Sequence, residues 1–197
     1  MPKIESKVGR IVVSILTALY LLLGFYVVVK PGWKEYNGDG FSIKYPASWF
    51  VEETAKERPE GALSNPYGQE YLLLISDGKT KFGLPLEEEH AKIIVTRYPK
   101  DQLGLSIQTL ADTRVSRINS TQITRNKIFI DGFLALNDVA RNAKSIDNED
   151  SYYWIDAGKY TYDIVCQIYE NVTFFTQVYY RFLINQVVLG LKFQTIK

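Results

Sequence analysis

The sequence is poor in the residues that build metal and redox sites, because it has one cysteine and one histidine among 197 residues. With Cys166 alone, an internal disulfide and a multi-cysteine zinc or iron–sulfur site are excluded. With His90 alone, a pair of histidines that binds zinc is excluded as well. We therefore expect no cofactor, and we expect Cys166 to be a small buried residue of an apolar strand.

The common catalytic and nucleotide-binding motifs are also missing. The sequence has no Gly-x-Ser-x-Gly turn for a nucleophilic serine, no Walker phosphate loop and no Gly-x-Gly-x-x-Gly loop. These absences predict that the protein is not an enzyme. The alternative is a hydrolase that uses His90, with its partners brought together by the fold.

Neither sign of charge dominates the chain. Lys and Arg number 23 and Asp and Glu number 22, which gives a formal net charge of +1. Without an excess of basic residues, nucleic acid is not an expected partner. Hydrophobic residues make up 46% of the chain and aromatic residues 14%, which is enough for a packed core.

The longest stretch without a charge runs from residue 11 to residue 29, IVVSILTALYLLLGFYVVV. At about 1.5 Å per residue, a helix of this length approaches the roughly 30 Å of a bilayer core. A cleaved signal peptide is the alternative, but the stretch ends in Tyr-Val-Val-Val-Lys-Pro without small residues for cleavage. We predict a transmembrane helix or signal anchor that contains Ile11, Leu16, Leu21 and Val29.

The flanking charges predict the orientation of this helix. Lys3, Lys7 and Arg10 precede it, whereas Lys30 alone follows it directly. Positively charged flanks favour the cytoplasmic side. We expect residues 1–10 to be a cytoplasmic tail, residues 30–39 to be a tether without periodicity, and residues 40–197 to be one extracytoplasmic domain.

The pattern after residue 40 predicts a mixed α+β domain. Strands are expected where apolar residues alternate or run together, helices where they recur every three or four residues, and hairpins at Asp131-Gly132 and around Gly158. The predicted strands are 41–45, 50–53, 71–76, 91–98, 122–130, 133–141, 152–156, 160–169 and 191–193, and the predicted helices are 103–118, with Ser106 as a cap, and 174–188.

The first strand carries a resemblance to a known family. In Gly40-Phe41-Ser42-Ile43-Lys44-Tyr45-Pro46-x-x-Trp49, alternate positions are apolar and Pro46 ends the strand. This motif and the order of the later elements resemble the family of PsbP, an extrinsic protein of photosystem II, and its bacterial relatives, over roughly residues 38–195. The resemblance implies an antiparallel sheet with helices on both faces, an α/β/α sandwich. It also implies a binding or assembly protein, in a membrane-anchored bacterial form.

Two further groups of residues are candidates for binding. Asp147, Glu149 and Asp150 lie in a predicted acidic loop, where oxygen ligands could hold Ca²⁺ or Mn²⁺, although the charge pattern favours a solvated loop without a metal. Tyr152 and Trp154 share one face of a predicted strand and would form an interaction surface if that face were exposed. The layer architecture of such folds favours the other interpretation, in which helices cover both faces of the sheet.

Together these observations predict a membrane-anchored extracytoplasmic domain that binds a protein partner in the cell envelope and has no catalytic site. The alternative function is a carrier or sensor of a small apolar ligand or lipid, held between the sheet and a helix. The aromatic residues near the membrane favour this alternative.

Overall fold

The computed structural model describes residue 9 and residues 11–20, 32–53, 69–78, 89–117, 122–141, 149–169 and 174–194. Residues 11–20 are helical and are called α1. The further elements, in chain order, are β1 (Trp33–Gly38), β2 (Phe41–Pro46), β3 (Phe50–Glu53), β4 (Glu70–Ser76), β5 (Ala91–Pro99), α2 (Lys100–Leu103), α3 (Ile107–Arg117), β6 (Gln122–Ile130), β7 (Phe133–Arg141), β8 (Glu149–Ala157), β9 (Tyr160–Ile168), α4 (Phe174–Leu189) and β10 (Lys192–Phe193).

Seven strands form one large antiparallel sheet in the order β3-β4-β5-β9-β8-β7-β6. The two predicted hairpins are confirmed. Asp131 and Gly132 both have positive φ, 50° and 83°, as a two-residue type I′ turn requires. This turn pairs Ile130 with Phe133 and fixes the register of β6 and β7 along their whole length.

A second, three-stranded sheet has the order β1-β2-β10. It corrects one expectation. The segment 30–39 is not a tether throughout, because Trp33–Gly38 pairs with Phe41–Pro46 along its whole length. Strand β3 does not belong to this sheet and pairs with β4 of the large one.

Helices α3 and α4 cover opposite faces of the large sheet, as expected for an α/β/α sandwich. On one face, Leu183 of α4 belongs to a core cluster with Tyr153 of β8. On the other face, Leu110 of α3 belongs to a cluster with Trp154 of β8. Because neighbouring residues of a strand point to opposite faces, β8 contributes to both clusters. Helix α3 begins at Ile107, later than predicted, and the Ser106 hydroxyl accepts a hydrogen bond from the Thr109 amide at 3.1 Å, which confirms the cap.

The small sheet is joined to the large one through Arg97 of β5. Its Nε donates to Glu70 of β4 at 2.5 Å, and its Nη1 donates to the backbone oxygen of Asp39 at 2.9 Å. Gly40 beside it has a φ of +87°, and a Cβ there would lie 3.0 Å from the hydroxyl of Tyr162. The glycine that opens the family-like motif therefore allows a left-handed turn and a close approach to the sheet.

A buried ion pair fastens α3 to the sheet. Arg114 of α3 donates a hydrogen bond to Asp163 of β9, whose side chain is buried, and the guanidinium also lies over the Trp154 ring. Burial raises the pKa of Asp163 to about 6, although the charge of Arg114 opposes the rise. The carboxyl group therefore holds its proton at a higher pH in the folded protein than in the unfolded chain.

This raised pKa predicts how stability depends on pH. The folded protein binds the Asp163 proton more tightly, so the stabilisation is complete below pH ~4 and is lost as the pH rises to about 6. In urea unfolding between pH 4 and pH 7, we expect the wild type to lose on the order of 2 kcal/mol relative to Asp163→Asn. A difference between wild type and variant that is the same at every pH would contradict this assignment.

Candidate functional site

The candidate site is a cleft between α4 and the face of the large sheet beneath it, with a volume of about 170 Å³. Three neighbouring strands form its floor and α4 forms one wall. The lining residues are Asn137 and Val139 of β7, Ser151 and Tyr153 of β8, Cys166 and Ile168 of β9, and Arg181, Ile184 and Asn185 of α4.

The cleft exists because α4 covers only part of the sheet. Leu183 and Val187 of α4 are fully buried in the core. The sheet continues beyond the helix to β7 and β6, where Asn126 pairs with Asn137 and is exposed to solvent. The helix is too narrow to cover the outer strands, so its flank forms a wall above the exposed part of the sheet, which is the floor of the cleft.

The lining is more polar than the core face of a sheet usually is. Asn137 occupies an inward position of β7 between Ala135 and Val139, and Ser151 is two residues before Tyr153 on the same face of β8. Such positions usually hold apolar residues. The Oδ1 atom of Asn137 is buried and has no hydrogen-bond partner among the described residues.

Helix α4 supplies the remaining polar groups. Arg181 and Asn185 are four residues apart and therefore lie on one face of the helix. The hydroxyl of Tyr153 donates a hydrogen bond to Oδ1 of Asn185 at 3.3 Å and so connects the floor to the wall. Among the described residues that line the cleft, Arg181 is the one with a charged side chain.

Cys166 lies in the cleft floor and is buried, as predicted. Burial raises the pKa of its thiol far above the ordinary value, and the charges of Asp163 and Asp150 add to the rise. Because the thiolate is the nucleophilic form, Cys166 is protonated and unreactive at neutral pH. The lining combines hydrogen-bonding side chains with apolar surface, as sites for small molecules do.

A second polar cluster surrounds His90, where β4 ends and β5 begins. Oδ1 of Asp77 accepts hydrogen bonds from the backbone amides of His90 and Ala91, each at 2.9 Å, and its Oδ2 lies 3.1 Å from Nδ1 of His90. The Tyr180 hydroxyl of α4 donates to Oδ2 of Asp77, and its ring stacks on the His90 ring. Burial and the Asp77 carboxylate raise the pKa of Tyr180.

This cluster fastens α4 to the sheet where β4 ends and β5 begins. Ser76, the serine nearest to His90 in the sequence, donates to Glu89 at 2.8 Å, not to His90. Within the described residues, the hydrolase alternative therefore has a carboxylate beside His90 but no serine hydrogen-bonded to it.

The residues predicted to bind a metal or a partner are placed differently from expectation. Glu149 and Asp150 belong to β8 rather than to a loop, and Asp150 accepts hydrogen bonds from Tyr152 at 3.0 Å and from Gln167 at 3.4 Å. Asp147 lies outside the described residues. Among the described residues, no group of three potential ligands is close enough to hold a metal ion.

The prediction that Tyr152 and Trp154 form an interaction surface is wrong. These residues are 6% and 2% exposed and lie under α3. Strand β8 is aromatic on both faces because each face packs against a helix. The alternative in which helices cover both faces is the one that agrees with the structure.

The predicted membrane segment is described only in part. Ile11 and Leu16 lie in α1 with exposed side chains, whereas Leu21 and Val29 lie outside the described residues. No helix within the described ranges is both long enough and apolar enough to span a bilayer.

The sequence matches no protein-family profile and no curated protein. The solved structures to which this chain is similar include two from bacteria. The solution structure of cyanobacterial PsbP (CyanoP) from Synechocystis aligns with 83% of this chain and 94% of its own, at 13% identity and a TM-score of 0.48. A crystal structure from Bacteroides thetaiotaomicron aligns with 83% of this chain at 11% identity and a TM-score of 0.47. This chain spans about half of that protein, 49%.

Proposed function

We propose that the protein is a membrane-anchored, extracytoplasmic domain of the PsbP-like family that acts by binding a protein partner in the cell envelope, not by catalysis. The apolar segment 11–29 is its anchor, and the domain that begins at β1 lies close to the bilayer. Residues 1–10 are the cytoplasmic tail.

The observation that carries this proposal is the surface of α1. Seven large apolar side chains of this helix, Ile11, Val12, Val13, Ile15, Leu16, Leu19 and Tyr20, are between 48% and 77% exposed. Consecutive apolar residues point in all directions around a helix, so packing against one side of a domain would leave the others in water. Lipid covers every side of such a helix at once, which supports the anchor.

The site chemistry supports binding in preference to catalysis. The cleft holds a buried thiol whose pKa burial raises, and the carboxylate of Asp77 is engaged by backbone amides and Tyr180. The alternative ligand, an apolar molecule between sheet and helix, gains no support from the cleft, because five of its nine lining residues are polar.

The anchor is tested by a charge at the centre of the apolar segment. Tyr20→Arg is expected to move most of the protein from the carbonate-resistant membrane fraction to the soluble fraction, because an arginine at mid-helix costs about 3 kcal/mol of insertion free energy. The matched control Tyr20→Phe keeps the segment apolar and should stay in the membrane. If the wild type itself is soluble after carbonate washing, the anchor is wrong.

The partner is tested by cross-linking in intact membranes, followed by purification of the full chain and mass spectrometry. The full chain is expected to retain a specific protein that is lost when residues 11–29 are deleted, because the anchor brings the two proteins together. Recovery of the full chain alone from cross-linked membranes would contradict the proposed binding function.

A further inference from the structure

We infer that the outer edge of β6 is the surface on which the protein partner binds, and that the partner adds an extended strand there with an acidic residue opposite Lys127. This inference rests on the proposed function, because it names the surface and the kind of partner. It follows from the backbone groups of the edge, from one exposed aromatic side chain and from the charge beside it.

Strand β6 is the outermost strand of the large sheet beside β7, and within the described residues it pairs with β7 alone. It has nine residues, so the edge is about 30 Å long. At the other end of the sheet, β3 has four residues. Natural proteins usually keep exposed edges short, because unpaired backbone groups bind extended segments of other chains. A long edge is therefore suited to strand addition.

The turn between β6 and β7 determines which backbone groups point outward. A two-residue type I′ turn is closed by a hydrogen-bonded pair, which here is Ile130 with Phe133. Hydrogen-bonded and non-hydrogen-bonded pairs then alternate along the two strands. The residues whose amide and carbonyl groups point away from β7 are therefore the odd-numbered ones, Ile123, Arg125, Lys127 and Phe129.

Phe129 gives the edge an apolar contact. Its side chain is 70% exposed, and outside α1 no other large apolar side chain of the described residues is as exposed. Leu134, directly opposite on β7, is 40% exposed. Residues paired across two strands lie on the same face, so the two side chains form an apolar patch beside the edge. An added strand covers Phe129 best with an apolar residue opposite it.

Lys127 selects the charge of the partner. It is exposed and has no ion-pair partner in the described part of the chain, whereas Arg125 is already paired with two carboxylates, those of Asp138 and Asp112. A carboxylate opposite Lys127 therefore meets an uncompensated cation. The added strand is antiparallel, as every described pair of this sheet is. Its apolar residue opposite Phe129 then precedes its acidic residue by two positions.

A second copy of the chain does not fit this edge. Strand β6 contains Arg125 and Lys127 but no acidic residue, so β6 of another copy cannot place a carboxylate opposite Lys127 in any register. Basic residues on an edge strand are one of the means by which proteins prevent such self-pairing. The charge of the edge therefore favours a different protein.

A synthetic strand tests the edge without the natural partner. The acidic peptide, acetyl-Thr-Val-Thr-Val-Thr-Glu-Thr-Val-Thr-amide, places Glu opposite Lys127 when the Val two positions earlier faces Phe129. The neutral peptide has Gln in place of Glu. In fluorescence anisotropy titrations of labelled peptide with the full chain in detergent, we expect saturable binding of the acidic peptide with a Kd below about 1 mM. The neutral peptide should bind about 2- to 5-fold more weakly.

Three variants assign these effects to the edge. Lys127→Thr removes the charge and keeps the amide, so the two peptides should bind it equally. Lys127→Pro also removes an amide that points away from β7, so it should weaken both peptides at least about tenfold while the hairpin with β7 stays paired. Lys34→Thr removes a charge from an exposed position of β1 and should leave the binding of both peptides unchanged.

Cross-linking in intact membranes separates this inference from the proposed function. The protein recovered with the wild type should be retained by Lys34→Thr and reduced at least about tenfold by Lys127→Pro. If Lys127→Pro retains it as the wild type does, the inference is overturned and the proposed function stands. If the peptides bind as expected but no protein is recovered, the edge is supported and the proposed function is contradicted.

The inference is also overturned if the wild type binds neither peptide saturably, or binds both equally. A dimer of the full chain that Lys127→Pro dissociates in analytical ultracentrifugation would overturn it too, because the edge would then bind a second copy. If Lys127→Pro lacks the near-ultraviolet circular dichroism of the wild type, the comparison of the two peptides on the wild type and Lys127→Thr decides the question.

Discussion

Replacement of Arg125 by Met is expected to lower the free energy of unfolding by about 3–5 kcal/mol, because it leaves a buried carboxylate without its counter-charge. Arg125 of β6 donates two hydrogen bonds to Asp138 of β7, from Nε to Oδ1 at 2.5 Å and from Nη2 to Oδ2 at 2.8 Å. The side chain of Asp138 is 1% exposed, so water cannot replace the guanidinium.

The same guanidinium also holds α3. Nη1 of Arg125 donates to Oδ1 of Asp112 at 2.5 Å, so one side chain joins β6, β7 and the helix that covers them. The hydrogen bonds that Arg125 donates to Asp138 and Asp112 raise its pKa, with the bond to Asp138 as the larger cause. Loss of Arg125 therefore weakens the packing of α3 as well as the hairpin.

Equilibrium unfolding in urea measures the effect. Lys127→Met is the matched control, because Lys127 follows Arg125 on the same face of β6 but is exposed, and its change should stay within about 0.5 kcal/mol. In the double variant Arg125→Met with Asp138→Leu, we expect most of the stability to return, because an apolar pair can replace a buried ion pair. An Arg125→Met variant as stable as the control would refute the role given to this pair.

For the Arg125–Asp138 pair, the sequence predicts the pairing of the two residues but not their burial. The Asp131-Gly132 turn predicts the hairpin, and a two-residue turn then fixes every cross-strand pair, including Arg125 with Asp138. The burial of Asp138 does not follow from this register, because it depends on where α3 packs. The residues of a turn can be recognised in the sequence. Which residues cover the face of a strand depends on tertiary packing.

Strand β1 shows the opposite case. Trp33–Gly38 contains Gly38 and charged residues, and its side chains are mostly exposed, so no alternation of apolar and polar residues marks it. Its structure comes from backbone pairing with β2 at the edge of the small sheet. Edge strands of this kind are held by hydrogen bonds that any sequence can make, which is why the segment resembles a tether.

Only the strand side of the cleft gives a signal in the sequence. Asn137 interrupts the inward apolar positions of β7, and a polar residue at such a position indicates either a buried network or a site. Arg181 and Asn185 give no comparable signal, because polar residues four apart are ordinary on the outer face of a helix. Which face of α4 meets the sheet is decided by Leu183 and Val187, and only that docking makes Arg181 line the same cleft as Asn137 and Ser151.

Replacement of Leu183 by Ala is therefore expected to have the second large effect, a loss of about 2–5 kcal/mol in the free energy of unfolding. Leu183 is 0% exposed and belongs to the core cluster that joins α4 to the sheet. Its truncation removes apolar contacts and leaves a cavity that the surrounding strands cannot fill. Val178 of the same helix is 43% exposed, so Val178→Ala is the matched control and should change stability far less.

Amide hydrogen exchange separates a local effect from a global one. If α4 opens as a unit, Leu183→Ala should speed exchange of the α4 amides more than that of the central strands β5 and β9. The Asp77–His90–Tyr180 contacts hold the first half of the helix to the sheet where β4 ends. The amides of the second half should therefore lose their protection from exchange first. Equal acceleration in α4 and in the strands would mean that the helix and sheet unfold together, and that the cleft cannot open without unfolding of the whole domain.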